Sequence, residues 1–205
     1  MTMRDSIKKV FAVVFCVFVL GVMYYGTYLP YNKSQLYISF LQNLRNINSL
    51  GQLESEASIP LDAPSPIGQE ELVRNFSNNV VDILHQNTNP MLAQQLLNYM
   101  MSYYGPIIQS GHGINFVQNI LIVGMAYQTA GTNTKNQAYL DQAENYFKEG
   151  LSLSPRRPQF LYSLFSLYLE EKRFSDAKSI MNQILTYWPD DPTVQKQLTS
   201  AENQK

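Results

Sequence analysis

Leu140, Ala143, Phe147, Leu151 and Pro155 return thirty-four residues later as Phe174, Ala177, Met181, Leu185 and Pro189. Five small, apolar or proline positions kept in register mark a repeated unit, and a period of this size belongs to stacked helical repeats. Within each copy these positions fall three and four apart, the spacing of one face of an α-helix. A pair of short antiparallel helices cannot bury such a face alone and must stack on neighbours. The chain is thereby held to an all-α architecture that offers a binding surface rather than a reaction centre.

Composition agrees with packed helices: the chain has fourteen Tyr and ten Phe but only ten Gly, which suits a core and not disorder. The formal net charge is -1, with Lys and Arg scattered. Nucleic-acid binding needs clustered cations to displace counterions, so no nucleic-acid partner is expected. The one cysteine is Cys16. No intrachain disulfide and no Cys-based metal site can form, and neither a metal nor a cofactor is expected.

Residues 10–29 read VFAVVFCVFVLGVMYYGTYL, without a charge. As a helix they span roughly 30 Å, the thickness of a bilayer core. Arg4, Lys8 and Lys9 precede them against the single acid Asp5, which favours a cytoplasmic N-terminus in residues 1–9. Tyr24, Tyr25 and Tyr28 gather at the far end, where amphipathic rings prefer the headgroup layer. A cleaved signal peptide would have a shorter run and small residues at the cut; the exit GVMYYGTYLP has neither. Bulky Phe15 before Cys16 argues against a lipoprotein, and uniform apolarity argues against a buried soluble helix. The expectation is a single-pass anchor in the cytoplasmic (inner) membrane, with the lipid bilayer as its partner and the body exported.

Residues 30–67 read as a juxtamembrane helix, with Leu36, Tyr37, Phe40, Leu41, Leu44 and Ile47 on one face, ending at Gly51. A connector containing Pro60, Pro64 and Pro66 follows. Residues 68–113 read as a degenerate hairpin, its first helix carrying Leu72, Phe76, Val80, Ile83 and Leu84. Asn89-Pro90 opens the second, with Ala93 in the small position, and Gly105-Pro106 stops it. Two repeats occupy residues 114–191, and residues 192–205 form a capping helix with Val194, Leu198 and Ala201 inward. Between Tyr127 and Leu140 the first repeat holds seven more residues than the second, an insertion expected to lengthen the polar loop AGTNTKNQ.

Catalytic residues are not expected. His85 and His112 lack ligand spacing, and Gly111-His112-Gly113 reads as a plain turn. Asp191 is read as the N-cap before Pro192, and Glu170 and Glu171 beside Lys172 and Arg173 as a solvated helix end. Arg156-Arg157 reads as a solvated turn, with an anion grip as the alternative. No nucleophile elbow, phosphate loop or zincin motif is present.

Ile120, Val123, Gly124 and Tyr127, then Leu161, Leu164, Phe165 and Tyr168, fall at positions 4, 7, 8 and 11 of a repeat helix. Residues Ile114 to Asp191 thus resemble tetratricopeptide repeats, with Gly124 letting two helices approach and Phe165 holding them wider. The resemblance implies a short solenoid that mediates protein–protein contact, and no enzyme. Its groove positions fall on Gln118, Leu121, Met125, Gln128 and Thr129, then Gln159, Tyr162, Ser166, Leu169 and Glu170. Such repeats clamp a terminal carboxylate with Lys, Arg and Asn, which these positions lack, so an apolar helix or extended segment is expected instead. The alternative is a groove filled by the preceding hairpin.

The run YNKSQLYISFLQNL after the apolar segment, then SIPLDAPSPIGQEELVRNF, is similar to the tail of bacterial O-antigen ligase and polymerase-like membrane proteins. Asn32 and Gly68-Gln69-Glu70 carry that likeness. It implies a polytopic membrane protein as partner, or a detached tail module. With one membrane helix in place of many, the family's transferase activity does not carry over.

Overall fold

The computed structural model describes residues 3–111 and 115–203, and every regular element among them is helical. The chain divides within its fourth helix into two compact units, Met1–Val73 and Arg74–Lys205.

In the first unit, α1 (Met3–Met23) leaves Val10, Phe11, Phe15 and Leu20 between 63% and 76% exposed. The helical run Lys8–Asn46 is long and apolar enough to cross a membrane, and its most apolar stretch is not buried at all. A π-helical turn interrupts it at Tyr24–Tyr28, where the Leu29 N–H reaches back to the Tyr24 carbonyl. Pro30 has no N–H, and its ring crowds the carbonyl four residues back, so the helix widens there by one residue. The Tyr24 and Tyr28 rings stack across this turn at 5.5 Å.

Helix α2 (Leu29–Asn43) buries Leu29, Lys33, Tyr37 and Phe40 along one face. A 3₁₀ turn, Leu44–Asn46, follows, and then α3 (Leu50–Asp62) begins. This corrects the sequence reading twice. Gly51 lies in the first turn of α3, because Ser49 accepts the Gln52 N–H and caps a new helix. Most of the expected connector is also helical, since Leu53, Ala57, Pro60 and Leu61 are all buried along α3. Of its three prolines, Pro64 and Pro66 lie outside the helix.

Lys33 is 3% exposed. Its Nζ donates to the Leu61 carbonyl at 3.3 Å, to that of Ala63 at 2.6 Å and to Gln69 Oε1. A cation there satisfies carbonyls that the end of α3 leaves without helical partners. Lys33→Met is expected to destabilise this unit by about 2 kcal/mol, because it strands buried acceptors. Faster amide exchange over residues 50–63 than in the parent chain checks this.

In the second unit, α4 (Gln69–His85) faces α5 (Pro90–Ser110) through Phe76 set edge-on to Tyr99 at 5.6 Å. Asn89 caps α5 by accepting the N–H groups of Met91 and Leu92. The expected stop at Gly105-Pro106 is a third correction. Helix α5 runs through Pro106 to Gly111, whose φ of 67° ends it in the left-handed region. Ile108, beyond the proline, packs on the core and holds the last turn in place.

Helices α6 (Phe116–Thr134) and α7 (Gln137–Leu153) form the next hairpin, α8 (Pro158–Glu170) and α9 (Phe174–Tyr187) the last, and α10 (Pro192–Glu202) covers its end. Ala143, Phe147 and Ala177 from the thirty-four-residue echo are fully buried, as are Val194 and, nearly so, Leu198 of α10. Gly124 does let the helices close in: a Cβ there would stand 2.5 Å from the Phe147 ring.

The seven-residue insertion does not lengthen a loop. Aligned on the last hairpin, α6 gains five residues at its end, α7 three at its start, and the turn shortens by one. The polar letters misled because tertiary contacts override weak propensity. Ala130 and Gly131 are buried, Gly131 lies so close to Leu140 that a Cβ would come within 2.5 Å, and the Asn133 amide donates to the Leu84 carbonyl at 2.6 Å.

Candidate functional site

The first helices of the hairpins, α4, α6 and α8, border a cleft of about 510 Å³. Gln118, Ile122 and Met125 of α6 form its floor, with Asn115 at the start of that helix. Arg74 and Asn78 of α4 and Arg157, at the turn entering α8, add polar walls. Arg157 donates to Gln118 Oε1 and lies over the Phe160 ring at 5.9 Å. It is therefore engaged, not the solvated turn residue expected. Two guanidinium groups and three amides converge on a half-apolar cleft, an arrangement that suits a carboxylate or another anionic group on a peptide.

That is a correction to the sequence reading, which found no Lys, Arg or Asn in the groove. Counting positions along one helix missed side chains supplied by α4 and by the turn after α7. Of the expected residues, Gln118 and Met125 line this cleft, and Met125 is 40% exposed. Leu121 is instead a core residue, 4% exposed, because α6 is packed from several sides. Thr129 is buried too. Gln159, Ser166 and Glu170 are exposed on α8, while Gln128 and Leu169 are half-buried. None of these five lines this cleft or the next.

Tyr162 lines a second cleft, of about 590 Å³, between the start of α8 and the turn that enters α10. Tyr187, Trp188, Pro189 and Pro192 form its other walls, with Asp190 and Asp191 beside them. Asp191 caps α10 as expected, accepting the Thr193 N–H at 2.8 Å. Its other carboxylate oxygen accepts the Tyr162 hydroxyl. Burial and this bond push Tyr162 up to about 12, so the phenol stays a donor at all ordinary pH. The tyrosine is thereby pinned and its ring kept at a tilt of 34° to Trp188, at 6.4 Å between centroids. No sequence reading singled out Tyr187 or Trp188. The signal available was the pair of turns PRRP (155–158) and PDDP (189–192), thirty-four residues apart.

A side-chain network joins α7, α8 and α9. Arg173 donates to Glu144 at 2.6 Å and to Asp176 at 2.8 Å, pairs with Glu171 at 3.1 Å, and lies over the Tyr168 ring at 4.4 Å. Tyr168 donates to Glu144 at 2.8 Å, and Lys148 pairs with it at 2.7 Å. Burial alone pushes the Glu144 carboxyl up; hydrogen bonds from Arg173, Lys148 and Tyr168 outweigh it and hold the group at about 2. Arg173 and Glu171 are thus part of a network, not the solvated helix end expected. His85 is exposed at the end of α4, and His112 and Gly113 lie outside the described residues.

Stacked antiparallel hairpins with an end helix and open clefts between first helices define a helical-repeat binding module. A family model, tetratricopeptide repeat, matches residues 140–200. Residues 140–200 are a tetratricopeptide-repeat segment, from early α7 into α10. No curated protein and no solved structure matches the chain.

Proposed function

We propose that the chain is a membrane-anchored tetratricopeptide-repeat protein whose second unit holds a protein partner outside the cytoplasm, without catalysis of its own. The repeat segment carries the reading, since such arrays are built to present side chains to a peptide, and the cleft of arginines and amides beside it, which the segment enters through Arg157, supports it. The anchor is supported by the exposed apolar surface of α1, which in water would be an uncovered patch far larger than soluble proteins tolerate. Basic residues before it and the tyrosine cluster after it support the orientation. Alkaline phosphatase fused after Lys205 should be active in a bacterial host. An inactive fusion, made active only by deleting residues 10–29 and adding an export signal, would contradict the topology.

A second reading, an accessory or detached tail module of an O-antigen or glycan ligase or polymerase system, is favoured by one observation. The two segments that carry the likeness, around Asn32 and Gly68-Gln69-Glu70, are tied together through Lys33 and Gln69. A polytopic protein lacking its own repeat tail, encoded by the neighbouring upstream reading frame, would support this reading; no glycan gene nearby would remove its basis.

A further inference from the structure

The two inter-repeat turns use one backbone device with opposite charge. Of Pro155-Arg156-Arg157-Pro158, Arg157 lines the first cleft while Arg156 lies over Tyr187 of the second, and Pro189-Asp190-Asp191-Pro192 presents two carboxylates at the second. In the second cleft three rings stand together. Trp188 meets Tyr187 edge-on at 5.7 Å and Tyr162 at a tilt of 34°. Aromatic faces are electron-rich and attract cations, above all where a carboxylate stands nearby. Arg156 gives a sample of that attraction, its guanidinium lying 5.6 Å from the centre of the Tyr187 ring. Asp191 is committed to Tyr162 and Thr193. Asp190 is exposed and has no partner among the described residues.

The walls are as telling as the charge. Pro158, Pro189 and Pro192 line the cleft together with the three rings, an aromatic and proline surface of the kind on which polyproline II segments lay their own prolines. The volume, about 590 Å³, suits a short extended segment; two turns of a helix about 10 Å across would need roughly 850 Å³.

We propose that this second cleft is a peptide site for an extended, proline-containing segment that carries a basic residue, its cation held between the Trp188 and Tyr162 rings and Asp190. The inference rests on the reading of the second unit as a peptide-binding module, and gives that module a partner of defined charge at each cleft: acidic at Arg157, basic at Asp190. Of the possible cations, Arg fits best, because a planar guanidinium stacks on rings and forks onto a carboxylate at once.

Trp188 is the only tryptophan in the chain, so its fluorescence reports on this cleft directly. The test titrates the full-length chain in detergent with the acetylated, amidated peptide Pro-Pro-Arg-Pro-Pro. A saturable change is expected, weakened on the order of tenfold by Asp190→Lys and by Ala in place of the peptide's Arg, and weakened by added salt. Asp190 is exposed, so the variant keeps the fold, and an unchanged melting curve verifies that. Equal binding of Pro-Pro-Glu-Pro-Pro, or no change at millimolar Pro-Pro-Arg-Pro-Pro, would overturn the proposal. So would a change that grows with protein concentration without peptide and is lost in Arg156→Glu, which would make a second copy of the chain the occupant. If an acidic partner still binds at Met125 and Arg157 while the basic peptide fails here, only this inference falls; loss of both would take the shared reading with it.

Discussion

Gly150→Val is expected to cost the second unit about 3 kcal/mol and lower its melting temperature by on the order of 10 °C. A Cβ at Gly150 of α7 would stand 2.1 Å from Cε1 and Cζ of Phe160 of α8. Phe160 is fully buried within the main core, so its ring cannot swing aside without displacing neighbours. Removing a helical glycine gains about 1 kcal/mol at most in the best case, Ala. The overpacking term therefore decides the sign. Gly105→Ala in α5 supplies the control, since nothing lies within 4 Å of a Cβ there and a gain of up to about 1 kcal/mol is expected. Melts followed by Trp188 fluorescence, which reports on this unit, check Gly150→Val; circular dichroism checks Gly105→Ala. A Gly150→Val chain that melts with the parent would mean that α7 and α8 do not approach as described.

Glu144→Gln is the second large effect, with a loss of about 2 kcal/mol at pH 7, solvent at the partly exposed Arg173 and Lys148 screening part of the interaction. Folding lowers the Glu144 carboxyl from its ordinary 4.5 to about 2. A group whose folded value is depressed contributes stability that is complete above its unfolded value. That contribution is lost as pH falls through the folded value. The gap between parent and variant should therefore be full at pH 6 to 7, begin to close below about 4.5 and nearly vanish near 2. Denaturant melts across that range measure it. A gap independent of pH would show that the Gln amide disturbs packing and that the charge network is not what holds α7 to α8 and α9.

Why some of this was legible and some not follows from where the information sits along the chain. The echo from Leu140 to Pro189 could be read because core positions must recur wherever one hairpin stacks on the next. The caps at Asn89 and Asp191 were readable because capping is local: the side chain bonds N–H groups two or three residues on. The prolines near Pro60 and Pro106 misled because their weight as breakers was counted without the buried residues around them, Leu53, Ala57 and Leu61 in one case and Tyr104 and Ile108 in the other. The stretch after Tyr127 looked like a loop because Gly, Thr and Asn are weak helix formers. What keeps it helical is contact with Leu140 on the next helix and with the distant Leu84 carbonyl, neither visible in the local composition. The clefts were half legible for the same reason. Gln118 and Met125 follow from helix position, whereas Arg74, Arg157, Tyr187 and Trp188 arrive from other helices and turns.

The central claim, a repeat module that holds a protein through its first cleft, is tested most directly by a photo-crosslinking residue at Met125. Met125 is 40% exposed and lines that cleft, while Lys178 of α9 is exposed elsewhere and serves as the control position. Irradiated in native membranes, the Met125 probe is expected to give a discrete protein adduct that the Lys178 probe does not. Arg157→Glu should abolish it by reversing the charge at the cleft wall. No adduct at Met125, or the same adduct at both positions regardless of Arg157, would contradict the account.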